Sequence, residues 1–447
     1  MTKKKVVIIG ALGMDFHTFN TVFRDNSEYE VLAFTIAGEQ NVGTTGETKR
    51  VYPAELAGDL YPEGIPMIPE TELENFVADN EVDEVVFAYS DVSHLEVMHK
   101  ASRALASGGN YRLISGKNTM VKSKKPVISI CAVRTGCGKS QVSRAVYRYL
   151  KEKNYKAVAI REPMPYGNLV EQEVMRFEKY EDLDKYKCTV EEREEYEPYI
   201  EQGLVVYSGV DYEKIVREAE KEADVIIFDG GNNEISFYKP DLLFVVADPL
   251  RPGHELKYHP GEVNARTADA VIINKINSAR PEDIEKVKRN IEKINPDAEI
   301  IKTNSVVTVK NPEKIEGKKA VVVEDGPTLT HGGMSYGAGY VAAKKYRAEI
   351  VDPKPHLKGS MKETFEDFPQ IDKIIPAMGY DKEQIKDLEE TINSIEADVV
   401  IDGSPIDLEK LIDSNKEIVR VKYDIEPAKG TLSIEEMLDK FEKQHLK

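Results

Sequence analysis

The chain has 447 residues, of which 41% are hydrophobic and 31% charged, with a formal net charge of −18 and three cysteines. That length exceeds one ordinary domain and suggests about three, and the acidic balance argues against nonspecific binding to nucleic acid or a membrane surface. No apolar run approaches the roughly 18 residues of a membrane-spanning helix, and Cys131, Cys137 and Cys188 have neither CxxC spacing nor a Cys/His cluster around them, so disulfides and zinc are both unexpected and a cytoplasmic location is expected.

From the N-terminus, the short apolar run Val6–Ile9 after three lysines reads as a first strand, because Asp15 follows it closely and no small-residue cleavage site is present. A loop from Gly10 to Asp15 and a helix from Phe16 through Arg24 come next, then a strand at 30–34, a helix at 70–80, a strand at 84–89 and a helix at 95–106. Alternating strands and helices predict a parallel, doubly wound sheet. The Gly10/Gly13 pair is half of a dinucleotide fingerprint, and no acidic residue closes the second strand, so a tight turn or anion site is expected in place of NAD binding. Asp15, His17, Asp91 and His94 stand at strand ends, where open α/β sheets bind ligands.

The basic, Pro-ended connector Val121–Pro126 marks a boundary, giving a first segment at 1–124 and a second at 125–310. The second opens on the most informative stretch of the chain. Strand 127–131 leads into Thr135-Gly136-Cys137-Gly138-Lys139-Ser140 and then a helix from Gln141. Strand, glycine loop, Gly-Lys-Ser and helix form a phosphate cradle: backbone N–H groups face the anion, Lys139 reaches the β/γ-phosphates and the Ser140 hydroxyl ligates Mg²⁺. Val133 stands where the usual pattern opens with glycine.

Strand 157–160 runs into Arg161 and the Pro163–Gly167 loop, and the charge-rich stretch 168–203 reads as a solvated helical insertion. Strand 224–228 ends in Asp229-Gly230-Gly231-Asn232-Asn233, about 90 residues after the loop, where a P-loop nucleotidase places its Mg²⁺ aspartate. Strand 242–247 ends near Arg251 and His254, candidates to hold an anionic acceptor. Strand 270–273 ends in Asn274-Lys275-Ile276-Asn277, which is similar to the guanine-reading Asn-Lys-x-Asp except for its last residue. An amide offers one acceptor and one donor where a carboxylate offers two acceptors, which leaves ATP and GTP both open.

The third segment, 311–447, begins with strand 319–323 and a Gly/Thr-rich loop, Glu324–Met334, that suits either an anion-binding nest or a lid. A helix follows Gly339. Strands are expected at 348–351 and 398–401, a turn at 376–380 and a helix at 382–395. The fold class is therefore α/β: three doubly wound domains, a central P-loop NTPase domain flanked by an N-terminal Rossmann-like domain and a smaller C-terminal α/β domain.

The runs 85–94 (VVFAYSDVSH), 131–140 (CAVRTGCGKS), 229–233 (DGGNN), 247–255 (ADPLRPGHE) and 324–333 (EDGPTLTHGG) together resemble the cyclic 2,3-diphosphoglycerate synthetase family and its relatives labelled GTPases. Its nucleotide domain resembles the MinD and dethiobiotin-synthetase branch of P-loop proteins, which implies a homodimer and places Arg134 at that branch's signature lysine. The resemblance implies Mg²⁺-dependent transfer of a γ-phosphoryl group from ATP or GTP to a small polyanionic acceptor, followed by ring closure. On that reading Arg134, Lys139 and Asp229 are catalytic, Ser140 and Asp229 hold the metal, and the nucleotide lies on 134–141 with Asn274, Lys275 and Asn277. Arg161, Arg251 and His254 would clamp the acceptor. The alternative is a nucleotide-driven switch or assembly protein; a ligase joining an amine or carboxylate is a third option.

Overall fold

The computed structural model describes all residues except 1, 11–12, 37–49, 163–166, 232–233, 331 and 378–381, and excludes the side chains of 190, 191, 194 and 382. Asn232 and Asn233 of the strand-end motif, the Pro163–Tyr166 loop, His331, the end of the 376–380 turn, the middle of the Gly10–Asp15 loop and Ala37-Gly38 after the second strand therefore lie outside the described residues.

The first segment carries strands β1 (Lys4–Gly10), β2 (Tyr29–Ile36), β3 (Val51–Tyr52), β4 (Ile65–Pro69), β5 (Glu84–Ala88), β6 (Val92–Ser93) and β7 (Asn110–Leu113), with helix α1 (His94–Ala106) between the last two. Six of the strands form one sheet in the order β3-β4-β2-β1-β5-β7, parallel except for β3 on β4. The helix expected from Phe16 through Arg24 is an α-helical turn, Met14–Thr18, followed by a π-helical turn, Phe19–Phe23. Arg24 ends it and pairs with Asp211 of the second segment at 2.8 Å.

Strands β8 (Val127–Ala132), β9 (Ala157–Arg161), β10 (Val174–Phe177), β11 (Val205–Gly209), β12 (Val225–Asp229), β13 (Leu242–Ala247), β14 (Tyr258–His259), β15 (Ala270–Ile273) and β16 (Glu299–Val309) follow. The third segment adds β17 (Lys319–Asp325), β18 (Glu349–Ile350), β19 (Ile375–Ala377), β20 (Val399–Gly403) and β21 (Glu417–Pro427). These do not make a separate sheet. One 13-stranded sheet runs β10-β11-β9-β12-β8-β13-β15-β16-β21-β20-β17-β18, with β19 on β17. The long strands β16 and β21 pair antiparallel from Thr303↔Pro427 to Val309↔Val421 and join its two halves.

The central strands are buried on both faces, which is why β8 is apolar at every position but Ser129 instead of alternating, and the Ser129 hydroxyl is satisfied by that of Ser236 at 2.8 Å. Helix α2 (Lys139–Glu152) buries Val142, Ala145, Val146, Tyr149 and Leu150, the i, i+3, i+4, i+7, i+8 stripe of a core-facing helix. The C-terminal helix, Ile434–His445, returns to this same core through Met437, Leu438 and Phe441.

Two local expectations are corrected. The 168–203 stretch holds an edge strand, β10, as well as helices Tyr180–Lys185 and α3 (Val190–Ile200). Pro376 and Ala377 lie in β19, an edge strand that pairs only with β17 among the described strands, which is where a sheet tolerates proline. No described helix is long and apolar enough to cross a membrane.

Candidate functional site

The phosphate loop lies at the carboxyl end of β8, and Gly138, at φ +101°, caps α2 in the left-handed region. A Cβ there would stand 2.3 Å from Asn274 Nδ2, so glycine is required twice over, by backbone and by space. That neighbour explains much of the site. Asn274 Nδ2 donates to Cys137 O at 3.1 Å, and Lys275 Nζ donates to Gly136 O and, at 3.0 Å, to Asp248 Oδ2. Asn274 and Lys275 thus pin the backbone of the phosphate loop. Asn277 is tied to Ser305, donating to its carbonyl at 2.9 Å and accepting its N–H at 3.0 Å, which orients both ends of its amide.

Arg251 joins the same scaffold. It donates to Gly332 O at 2.6 Å and to Asp248 Oδ2 at 3.0 Å, and approaches Cys137 Sγ at 3.4 Å. Burial alone would raise the pKa of Asp248, but Lys275 and Arg251 hold it below the usual carboxylate value. Burial also pushes the Cys137 thiol up to about 11, so it packs and does not react.

Below the loop, Lys139 Nζ reaches Asp229 Oδ1 at 2.6 Å and also donates to Gly230 O. Arg161 Nη1 meets the same Asp229 oxygen at 2.9 Å, its other arm pairs with Glu195, and the Tyr199 phenol donates to Asp229 Oδ2. Burial works to raise Asp229, yet Arg161 and then Lys139 hold it down to about 2, so it is ionised at neutral pH. Burial pulls Lys139 below the usual ammonium range, opposed by Asp229. Glu195 and Tyr199 come from α3, so the stretch expected to be a solvated insertion reaches the floor of the site. The charged residues around them hide the apolar Tyr196, Tyr199 and Ile200, which are buried at i, i+3 and i+4.

Ser140 lines the cleft, and Gln141 Nε2 donates to Ser305 Oγ at 3.0 Å. An ionised Asp229 and the Ser140 hydroxyl are oxygen donors of the type Mg²⁺ takes with a nucleotide. Among the described residues, no cluster of three or more His, Cys, Asp or Glu side chains could hold a metal by itself.

Arg134 is buried inside its own chain. Its Nε donates to Asp91 Oδ1 at 2.7 Å, Nη1 to His254 Nδ1 at 2.9 Å, and its guanidinium lies 3.6 Å from the centre of the Tyr258 ring. Burial and the adjacent Arg134 lower His254 to about 4, which keeps the ring neutral and Nδ1 able to accept. Arg134, His254 and Arg251 therefore lie on one side of the loop and Arg161 on the Asp229 side; all four are committed to protein partners. Asp91 also accepts the Thr135 N–H at 3.2 Å. With the two-residue pairing of β6 on β14, it ties the first segment to the phosphate loop. His17 is a core residue, stacked on Phe237 at 4.0 Å with Nε2–H donating to Thr119 O. The space beside Gly13 is filled by Glu162: a Cβ on Gly13 would lie 2.1 Å from Glu162 Oε1.

All three segments line one cleft of about 1250 Å³. From the third, Thr328 packs beside Gly136, and Glu324 accepts the N–H groups of Gly337, Gly339 and Tyr340 at 3.1, 3.0 and 2.6 Å. The chain's own carboxylate thereby fills the helix N-terminus that an anion-binding nest would use; burial raises it to about 7 despite the three donors. On the other wall, Glu162 and Glu234 are buried side by side, and burial followed by Glu234 raises Glu162 well above the usual carboxylate value. Motif reading missed Glu162, Glu195, Tyr199 and Glu234. The described lining holds ten Asp and Glu residues against five Lys and Arg.

Comparison with known proteins gives this cleft a context. No family profile matches the chain. Arginine synthetase ArcE of Thermococcus kodakarensis is 59% identical over 442 residues, covering 99% of this chain and 97% of the relative. The chain belongs to the ArcE family. Cyclic 2,3-diphosphoglycerate synthetases fall in the same family at greater distance. The Thermococcus sibiricus protein is 26% identical over 62% of this chain and 65% of its own length; that of Methanothermus fervidus is 29% identical over 30% and 29%. The LpxK structure from Aquifex aeolicus in complex with ATP aligns with 73% of this chain and 90% of its own, at TM-score 0.41 and 14% identity. As a member of the ArcE family, the chain is an enzyme of the nucleoside-triphosphate-dependent synthetase class.

Proposed function

We propose that this chain is an ATP-dependent synthetase that makes arginine. The observation that carries the reading is the make-up of the cleft lining beside the phosphate loop: ten carboxyl residues against five cationic ones, and still eight against three once Asp91 is set against Arg134 and Glu195 against Arg161. Such a wall suits a neutral amino-acid acceptor, a nitrogen nucleophile and a cationic product. A polyanionic diphosphoglycerate would need concentrated positive charge there, and Arg134, Arg161 and Arg251 are already paired within the protein. The full-length likeness to an arginine synthetase supports the same choice.

The chemistry follows from the product. A guanidinium forms from a ureido group once the ureido oxygen becomes a leaving group, so citrulline is the acceptor whose conversion needs one phosphoryl transfer. The bond between the β–γ bridging oxygen and the γ-phosphorus breaks as the ureido oxygen takes the phosphoryl group, releasing ADP. Ammonia then forms the new C–N bond, the C–O bond breaks with loss of phosphate, and the nitrogen sheds its surplus proton. Lys139 and the amides of 136–140 bind and neutralise the phosphates. A magnesium ion held by Ser140 and Asp229 would spread the phosphate charge. Tyr199 and Arg161 hold Asp229 ionised and oriented, while the pinned loop keeps its N–H groups in place without reorganisation.

The test is an assay of purified protein with ATP and GTP in parallel, each with citrulline plus ammonium or with 2,3-diphosphoglycerate, following arginine by chromatography and phosphorus by NMR. Arginine formation with ATP supports the reading. A cyclic diphosphate product without arginine refutes it.

A further inference from the structure

Of the five cationic side chains that line the described cleft, four are matched by carboxylates of the chain itself. Arg134 pairs with Asp91, Lys139 and Arg161 with Asp229, and Lys275 with Asp248. Arg144 is the exception, with no carboxylate partner among the described residues. Its Nη2 donates to the Tyr423 carbonyl at 2.9 Å, and its guanidinium carbon lies 5.4 Å from the centre of the Tyr423 ring. Those contacts fix the side chain and leave Nε and Nη1 with no partner among the described residues. Its position follows from α2. Residues four apart stand one above the other on a helix face, so half-buried Arg144 continues the cleft-facing stripe of Ser140, about 6 Å further along the axis. The third segment closes over this point, for Tyr423 of β21 and Asp325 at the end of β17 both line the cleft. Burial raises the pKa of the Tyr423 phenol, Arg144 opposes the rise and Asp325 reinforces it, so charges of both signs act at one place.

We propose that Arg144 anchors the α-carboxylate of the acceptor amino acid. The assignment rests on the reading of the chain as an arginine-forming synthetase, and it gives the one anionic group of citrulline a place in an acid-rich cleft. The dimensions agree. The ureido oxygen has to stand at the γ-phosphoryl group, beside Lys139 and the Ser140 end of α2. Extended, the citrulline chain spans about 7.5 Å from its ureido carbon to its carboxylate carbon. A guanidinium one turn along the same helix face is within that reach. The planar fork of an arginine meets a carboxylate through two parallel hydrogen bonds, and Asp325 supplies the opposite charge for the α-ammonium group. The nucleotide phosphates are already met by Lys139 and the backbone N–H groups of 136–140, which leaves Arg144 for the acceptor.

The experiment is steady-state kinetics of the full chain with ATP and ammonium, taking as acceptor either citrulline or carbamoylputrescine, which is citrulline without its α-carboxylate. Wild type is expected to favour citrulline by at least about tenfold in kcat/KM, the discrimination that one charge-assisted hydrogen bond supplies. Arg144→Gln is expected to raise the KM for citrulline by about tenfold or more with little change in the KM for ATP, and to bring the ratio between the two acceptors close to one. Arg144→Lys keeps the charge without the fork and should fall between. If Arg144 only ties α2 to β21, its loss lowers both acceptors alike and leaves their ratio untouched, which overturns the proposal. A rise in the KM for ATP in place of that for citrulline does the same. Wild type that treats the two acceptors equally overturns it without any variant, so the test survives a variant that does not fold. Arginine formed by wild type in any of these cases leaves the synthetase reading standing; no guanidino product from either acceptor overturns that reading and this assignment together.

Discussion

Asn277 shows how a residue's role is set by what it faces. Within its motif it looks like a substituted base reader; in the fold both ends of its amide close on Ser305. Asn277→Asp is therefore expected to leave the ATP-to-GTP preference unchanged. It should lower stability by about 1 kcal/mol, the worth of one lost hydrogen bond at an exposed site, measured by denaturant titration. His17 makes the complementary point for titratable groups. Its position at a strand end suggested a ligand, but it is buried against Phe237, and burial lowers its pKa to about 4. The unfolded chain takes up that proton near pH 6.5, so the stability contributed by neutral His17 is complete above about 6.5 and is lost as pH falls toward 4. The loss reaches about 3 kcal/mol by the conversion of 1.36 kcal/mol per unit. Replacing it, as in His17→Phe, is expected to flatten the fall in melting temperature between pH 7 and pH 4.5; an unchanged slope would show that His17 does not titrate on unfolding. The strand–loop–helix that carries Lys139 and Ser140, and the strand that ends at Asp229, were legible from sequence because contiguous motifs carry their own context. The pinning roles of Asn274, Lys275 and Arg251 were not, because they depend on which loops strand order brings together.

The β8–loop–α2 unit is the element the sequence specified most fully: a doubly buried strand, two glycines at positive φ, Gly-Lys-Ser and an amphipathic helix agree with one another. Helix α3 is the opposite case. Its acidic composition masks Tyr196, Tyr199 and Ile200, and the edge strand β10 before it is only four residues long. Yet α3 delivers the Tyr199 hydroxyl to Asp229. Tyr199→Phe removes that donor while leaving Lys139 and Arg161 on the carboxylate. It is expected to lower kcat about tenfold, the low end for losing a partner that orients a ligating group. The KM for ATP and the thermal transition should change little. A kcat equal to wild type would show that Tyr199 only packs.

At the scale of the molecule, alternation of strands and helices announced parallel α/β layers but not how they join. Local pattern is silent on a pairing such as β16 with β21, more than a hundred residues apart, so the continuity of the 13-stranded sheet was invisible until the fold was seen. That continuity matters for function, because it holds the Glu324–Thr328 wall over the phosphate loop. On the opposite side, Asp91 and the β6–β14 pairing bring in the first segment. The acid-rich cleft between them is the ground for placing arginine formation here. The most direct test supplies wild type and Lys139→Ala with ATP, citrulline and nitrogen-15 ammonium, and measures labelled arginine, ADP and phosphate together. The account predicts the three products in equal amounts from wild type and a loss of at least about 100-fold in the variant, as expected for removing a charge that stabilises phosphoryl transfer. Absence of labelled arginine from wild type, or undiminished turnover by Lys139→Ala, would contradict it.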